Sequence, residues 1–132
     1  MMVATLTIRD ETTLGQTTNE LTLDFLTEHI TVRKLIRSRV YQEVKDYNAQ
    51  RGKFFRGLVQ PIHAESTCNG FKMRSRREID WQRQYENAIT AFEATRIIIL
   101  IDNKQAESLD QDIIIRTDTQ VTFLRLMPLV GG

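Results

Sequence analysis

One cysteine, two prolines and one tryptophan stand in 132 residues. With Cys68 alone there is no internal disulfide framework, and a zinc site would have to draw on other ligands. The two histidines, His29 and His63, lie far apart and in no H-x-x-x-H spacing. A Cys68–His63 pair supplies a nucleophile and a base, but nothing nearby offers an orienting third group or an oxyanion hole. Asp110 and Asp112 read as solvated turn residues, and no Gly-rich phosphate cradle occurs. No enzyme activity, metal or cofactor is therefore expected. A run of about 18 apolar residues is also missing, so no membrane-spanning segment is expected. Met1 to Ile8 has neither a basic n-region nor a long apolar core, so it reads as no signal peptide, and the cytoplasm is the expected location. Excess charge of one sign is lacking too: Lys+Arg number 18 and Asp+Glu 17, a net charge of +1. A dedicated nucleic-acid binder would show a strong basic excess, so nucleic acid is not an expected partner.

What is present is a chain 41% hydrophobic, of globular composition, with the length of one compact domain over 1–132. Val3 to Arg9 alternates, with Ala4, Leu6 and Ile8 on one side. Alternation resumes at Leu21, Leu23 and Phe25 after a polar stretch containing Gly15, which predicts a β-hairpin of unsettled register. Thr31 stands where a helix N-cap belongs. Behind it Val32, Leu35, Ile36, Val40, Val44 and Tyr47 recur at steps of three and four, predicting a helix of about four turns. Arg33, Lys34, Arg37, Arg39, Glu43, Lys45 and Asp46 fill its expected wet face.

From Asn48 to Asp80 no period persists. This stretch carries seven Lys and Arg against three acids, so it is +4 while the remainder is −3. It reads as a loop-like insertion, with Phe54, Phe55 and Phe71 as conceivable stacking platforms among the charges. Asp80 looks like a second N-cap, followed by Trp81, Tyr85, Ala88, Ile89 and Phe92 on one helical face to about Ala94. Arg96 to Ile101 is an unbroken β-branched run closed by Asp102-Asn103-Lys104, a buried strand and a turn. Ser108 to Ile115 holds two apolar clusters of undecided type. Thr119 to Met127 is apolar on both faces, as a central strand would be. The order predicts an α+β fold, one sheet against one main helix.

The chain ends Pro128-Leu129-Val130-Gly131-Gly132. At a glycine usage of roughly 7%, two closing glycines arise by chance about once in 200. Here they follow a strand, a Pro that stops pairing and an apolar pair. Glycines without Cβ atoms thread a narrow channel, so such a tail delivers a carboxylate into another protein's active site.

The element order, the turn at Asp102-Asn103-Lys104, and the run Thr117-Asp118-Thr119-Gln120-Val121-Thr122-Phe123-Leu124 ending in the diglycine resemble the ubiquitin-like β-grasp proteins. The tail is similar to those of the molybdopterin synthase small subunit and the thiamine sulfur carrier protein, where a D-x-x-V-x-(F/L)-hydrophobic strand runs into Gly-Gly. The resemblance covers roughly 3–47 and 96–132 and leaves 48–95, with its second helix, as an insertion. It implies a mixed sheet packed on one main helix, and a Gly132 carboxylate that a partner enzyme adenylates with ATP. Gly131 would keep the thread slim, and Pro128, Leu129 and Val130 would line the partner's channel. Leu124 or Leu126, with one of Ile97 or Ile99, would form the apolar docking face. Val130 departs from the basic residue that precedes the diglycine in ubiquitin and sits nearer the sulfur-carrier pattern. The fates implied are transfer to a target as a protein modifier, through a conjugating enzyme or directly, or loading with sulfur as a thiocarboxylate. A non-covalent interaction module on the same sheet is the alternative of another class.

Overall fold

The computed structural model of the chain describes residues 3–50, 52, 54–61, 64–67, 70–73 and 78–126. The elements follow in the order β1 (Ala4–Glu11), β2 (Thr17–Phe25), β3 (His29–Thr31), α1 (Val32–Gln50), β4 (Phe54–Phe55), β5 (Ala64–Thr67), β6 (Gly70–Met73), α2 (Trp81–Glu93), β7 (Ile97–Ile101), β8 (Lys104–Gln105), β9 (Asp112–Ile114) and β10 (Gln120–Arg125). The class is α+β, with a mixed sheet. No helix among the described residues is long and apolar enough to cross a membrane.

Contacts divide the chain into two compact units, Met1–Leu35 with Ala91–Gly132, and Ile36–Thr90. The sequence reading had one domain over 1–132 with an insertion over 48–95; the boundaries of the two units fall inside the two helices.

The first unit holds a five-stranded sheet in the order β2-β1-β10-β7-β8. β1 pairs antiparallel with β2 from Ala4↔Phe25 to Glu11↔Thr17, with an irregularity between Asp10 and Glu11 that increases local twist. Gly15 closes the connecting loop at φ 83°, a left-handed conformation that a side chain would strain. β10 lies between β1, to which it is parallel, and β7, to which it is antiparallel. A strand in that position has hydrogen-bonded neighbours on both edges, and its pleat separates Val121 and Phe123, which are buried, from Thr122 and Leu124, which are partly exposed. Leu6, Ile8, Val121, Phe123, Ile97 and Ile99 turn to one side and are buried; burial of such a side chain contributes about 1.5–3 kcal/mol.

At the start of α1, Thr31 Oγ1 accepts a hydrogen bond from Lys34 N at 3.1 Å, the expected N-cap. The next unsatisfied donors of the helix, Val32 N and Arg33 N, bond Gln111 O at 3.0 Å and Leu109 O at 2.9 Å. The undecided clusters around Ser108 to Ile115 thus meet the helix start. They also supply β9, which pairs with β3 through Ile30↔Ile113. These strands are three residues each, too short for a period to show in the sequence.

The second unit contains α1 from Ile36 on, α2 to Thr90, and an antiparallel sheet in the order β4-β6-β5. Described residues of the stretch read as aperiodic therefore form short strands. These span only two to four residues, and side chain–backbone bonds secure the segments around them. Asn48 Nδ2 donates to Ile79 O at 3.0 Å while Ile79 N donates to Asn48 Oδ1 at 2.8 Å. Gln84 Nε2, almost fully buried, donates to Val59 O at 3.0 Å. Phe55 and Phe71, conceivable base-stacking platforms in the sequence, are buried, and Tyr47 meets the Phe55 ring edge-on at 5.6 Å. Gly57 has a steric reason: a Cβ there would overlap the Phe55 ring.

Arg39 overturns its expected place on the wet face. It is completely buried and paired with Glu43, one turn on. On α2 the buried side chains are Gln84, Ala88 and Phe92, whereas Trp81 and Tyr85 are half-buried at the side of that stripe.

Candidate functional site

The tail expected to carry the chemistry, Pro128, Leu129, Val130, Gly131 and Gly132, lies outside the described residues, as do His63 and Cys68. What the structure describes is the strand that precedes it. β10 leaves the middle of its sheet at Arg125, and Leu126 N donates to Arg96 O at 2.9 Å, so pairing with the start of β7 persists one residue beyond the strand.

The register assigns the two faces. Phe123 pairs with Ile99 and Val121 with Ile101, on the inward side. Leu124 pairs with Ile98, and Thr122 with Leu100, on the opposite side, where all four are partly exposed. Leu126 follows at 37% exposure. Leu124 and Leu126 are both accessible. Ile97 and Ile99, expected on an outward face, are not: they are 4% and 0% exposed, and the accessible residues of that strand are Ile98 and Leu100. The run from Ile97 to Ile101 contains no polar residue, so its sequence holds no alternation to reveal which side faces out. The pairing of Ile98 with Leu124 supplies that information.

On the β1 side the same face is polar. Arg9 neighbours Thr122, Glu11 neighbours Leu124, and Arg9 Nε stands 3.8 Å from Glu20 Oε2 in an exposed pair. Such a pair contributes at most about 1 kcal/mol. The face is therefore a short apolar strip, Ile98, Leu100, Leu124 and Leu126, bordered by charge. A depression of about 390 Å³ lies farther along it, lined by Thr7, Arg9, Leu100, Asn103, Gln120 and Thr122 among others.

A second depression in the same unit, about 530 Å³, has Phe92, Ile97 and Leu109 in its wall and Glu93, Glu107 and Asp110 around it. Asp110 is engaged there by Arg33, 3.6 Å away. No group of three or more His, Cys, Asp or Glu that could hold a metal occurs among the described residues. Among them, too, every buried side-chain nitrogen or oxygen has a hydrogen-bond partner. The described surface of the first unit thus supplies shape and a short apolar strip, with Arg9–Glu20 and Arg33–Asp110 as exposed pairs.

No protein-family model matches the chain, and neither a curated protein nor a solved structure matches it.

Proposed function

We propose that this chain is a ubiquitin-like β-grasp protein, a modifier whose Gly132 carboxylate is activated by a partner enzyme and transferred. One observation carries the reading: the last strand returns to the middle of the sheet, parallel to β1, in the order β2-β1-β10-β7-β8. A hairpin followed by a helix and a returning central strand is the arrangement expected of a β-grasp. It supports a role for the Gly131-Gly132 sequence that follows β10.

The chemistry follows from the carboxylate. A carboxylate is inert toward acyl transfer, so ATP must first activate it. An oxygen of Gly132 attacks the α-phosphorus of ATP, pyrophosphate leaves, and an acyl-adenylate forms. A thiolate of the partner then attacks the acyl carbon and releases AMP, leaving a thioester ready for an amine. Gly131 and Gly132, free of side chains, fit the narrow approach such a reaction needs. Pro128, Leu129 and Val130 add apolar contact to the partner's channel, and Ile98, Leu100, Leu124 and Leu126 supply the docking face. The large second unit favours the modifier over the sulfur carrier, because sulfur delivery gains nothing from so extensive an elaboration.

The test is ATP–pyrophosphate exchange with a purified adenylating enzyme of the class that activates Gly-Gly tails. Exchange should appear with the full chain and vanish on deletion of Gly132; equal exchange by the truncated chain overturns the reading. Intact mass of protein recovered from cells separates the fates. Conjugates on lysines mark a modifier, and a gain of about 16 Da marks a thiocarboxylate, oxygen replaced by sulfur.

A further inference from the structure

The near-neutral chain hides a polarised one. Ile36–Thr90 carries eleven Lys and Arg against six Asp and Glu, net +5, and the remainder is −4. Within the basic unit Arg37, Tyr41 and Lys45 recur every four residues along α1, and Trp81 and Tyr85 do the same on α2. The Tyr41 and Trp81 rings meet edge-to-face, with centroids 5.3 Å apart and planes at 88°, and Tyr85 lies 6.4 Å beyond Trp81. Arg37 Cζ sits 5.5 Å from the Trp81 ring centre and Lys45 Nζ 6.0 Å from that of Tyr41. Tyr41 is 45% exposed, Arg37 and Lys45 are exposed, and Trp81 and Tyr85 are half-buried.

Two details give this ridge a direction. Among the described residues neither Arg37 nor Lys45 pairs with a carboxylate. Three acids near these residues in sequence are engaged elsewhere: Glu43 pairs with Arg39, Asp46 accepts from Gln42 Nε2 at 2.9 Å, and Asp80 Oδ1 accepts from Gln82 N at 3.0 Å. A cation held over an aromatic ring is already partly ordered yet keeps its N–H donors for an incoming carboxylate. Tryptophan, tyrosine and arginine are also the side chains on which protein interfaces concentrate their energy. Single-stranded nucleic acid fits less well, because stacked bases need open ring faces and here cations and a neighbouring ring edge stand against them.

We propose that the ridge formed by Arg37, Tyr41, Lys45, Trp81 and Tyr85 docks an acidic amphipathic helix of a protein partner. Arg37 and Lys45 are two helical turns apart, about 12 Å, so carboxylates two turns apart on the partner helix meet both. An apolar side chain between them rests on the rings. This surface is independent of Gly132 and of the acyl transfer proposed above.

Trp81 is the only tryptophan of the chain, so its emission reports the site directly. The probe is a synthetic helical peptide of about five turns, without aromatic residues, with Glu two turns apart flanking Leu. The controls are its twin with Gln for Glu, and oligo-uridylate, all titrated into the full chain. The acidic peptide should change Trp81 emission saturably, and the Gln twin should bind about tenfold or more weakly. The Arg37→Gln/Lys45→Gln double variant should lose affinity about tenfold while its thermal midpoint stays put. Tyr41→Ser provides a second variant whose charge is intact, and it should weaken binding too. The proposal is overturned by no saturable change with the acidic peptide, by equal affinity for the twin or for both variants, or by tighter binding of oligo-uridylate.

Discussion

Arg39 Nε donates to Glu43 Oε1 at 2.5 Å, and Glu43 Oε2 in turn accepts from Leu58 N at 3.0 Å. One carboxylate thus neutralises a fully buried guanidinium and also holds the backbone that follows β4. A buried ion pair of this kind is worth little against a well-packed apolar replacement, but breaking it by removing one partner leaves a charge without water or counter-ion. Arg39→Ala should therefore lower the unfolding free energy by about 3–5 kcal/mol, and Arg39→Met/Glu43→Gln, which keeps an oxygen for Leu58 N, by far less. Urea unfolding followed by circular dichroism measures both; equal losses in the two variants would refute the pairing argument.

Asn48 bonds both backbone groups of Ile79, as a strand neighbour would. Asn48→Ala deletes two hydrogen bonds and leaves buried backbone groups of Ile79 unsatisfied. The expected loss is about 2–3 kcal/mol. Hydrogen exchange at the Ile79 amide should accelerate more than exchange in β1, a local signature that a uniform loss of stability would not give.

The turn between β7 and β8 has φ 50° at Asp102 and 68° at Asn103. Two left-handed residues in a two-residue connection make the type I′ geometry that suits the twist of a hairpin. Asn103→Gly should raise stability slightly, and Asn103→Val should lower it by about 1–2 kcal/mol. Asp102→Ala should cost a similar amount, since Asp102 Oδ1 also accepts from Gln120 N at 2.9 Å. Thermal midpoints rank the three variants.

If the outer strip of the sheet docks the activating enzyme, accessible and buried residues of one strand must behave differently. Leu124→Ser and Ile98→Ser should raise the KM for adenylation about tenfold with kcat unchanged and little loss of stability. Phe123→Ala, on the buried side, should cost about 3–5 kcal/mol of stability and affect adenylation only through the folded fraction. Steady-state kinetics beside unfolding curves separates the two classes.

Local signals made much of the scaffold readable. Alternation at Leu6 and Ile8 announced β1, Thr31 and Asp80 marked the starts of both helices, and the two-faced apolar run from Val121 announced a strand deep in a sheet. Each depends on a few neighbouring residues, so a period or a cap is visible without knowing the partner. The candidate tail, Gly131 and Gly132, was readable for the same reason, as a pair of residues without side chains.

The amino-acid sequence by itself determined where the helices and long strands form, and which short segment lacks side chains. Only the tertiary structure decided which side of Ile97–Ile101 is accessible, because an unbroken apolar strand takes its facing from the register with Leu124 and Phe123. It alone put Arg39 in the interior, since a cation is buried only when a chain-distant arrangement, here Glu43 tied to Leu58, makes its burial tolerable. It alone brought Tyr41 against Trp81, two residues forty positions apart whose meeting no local pattern encodes.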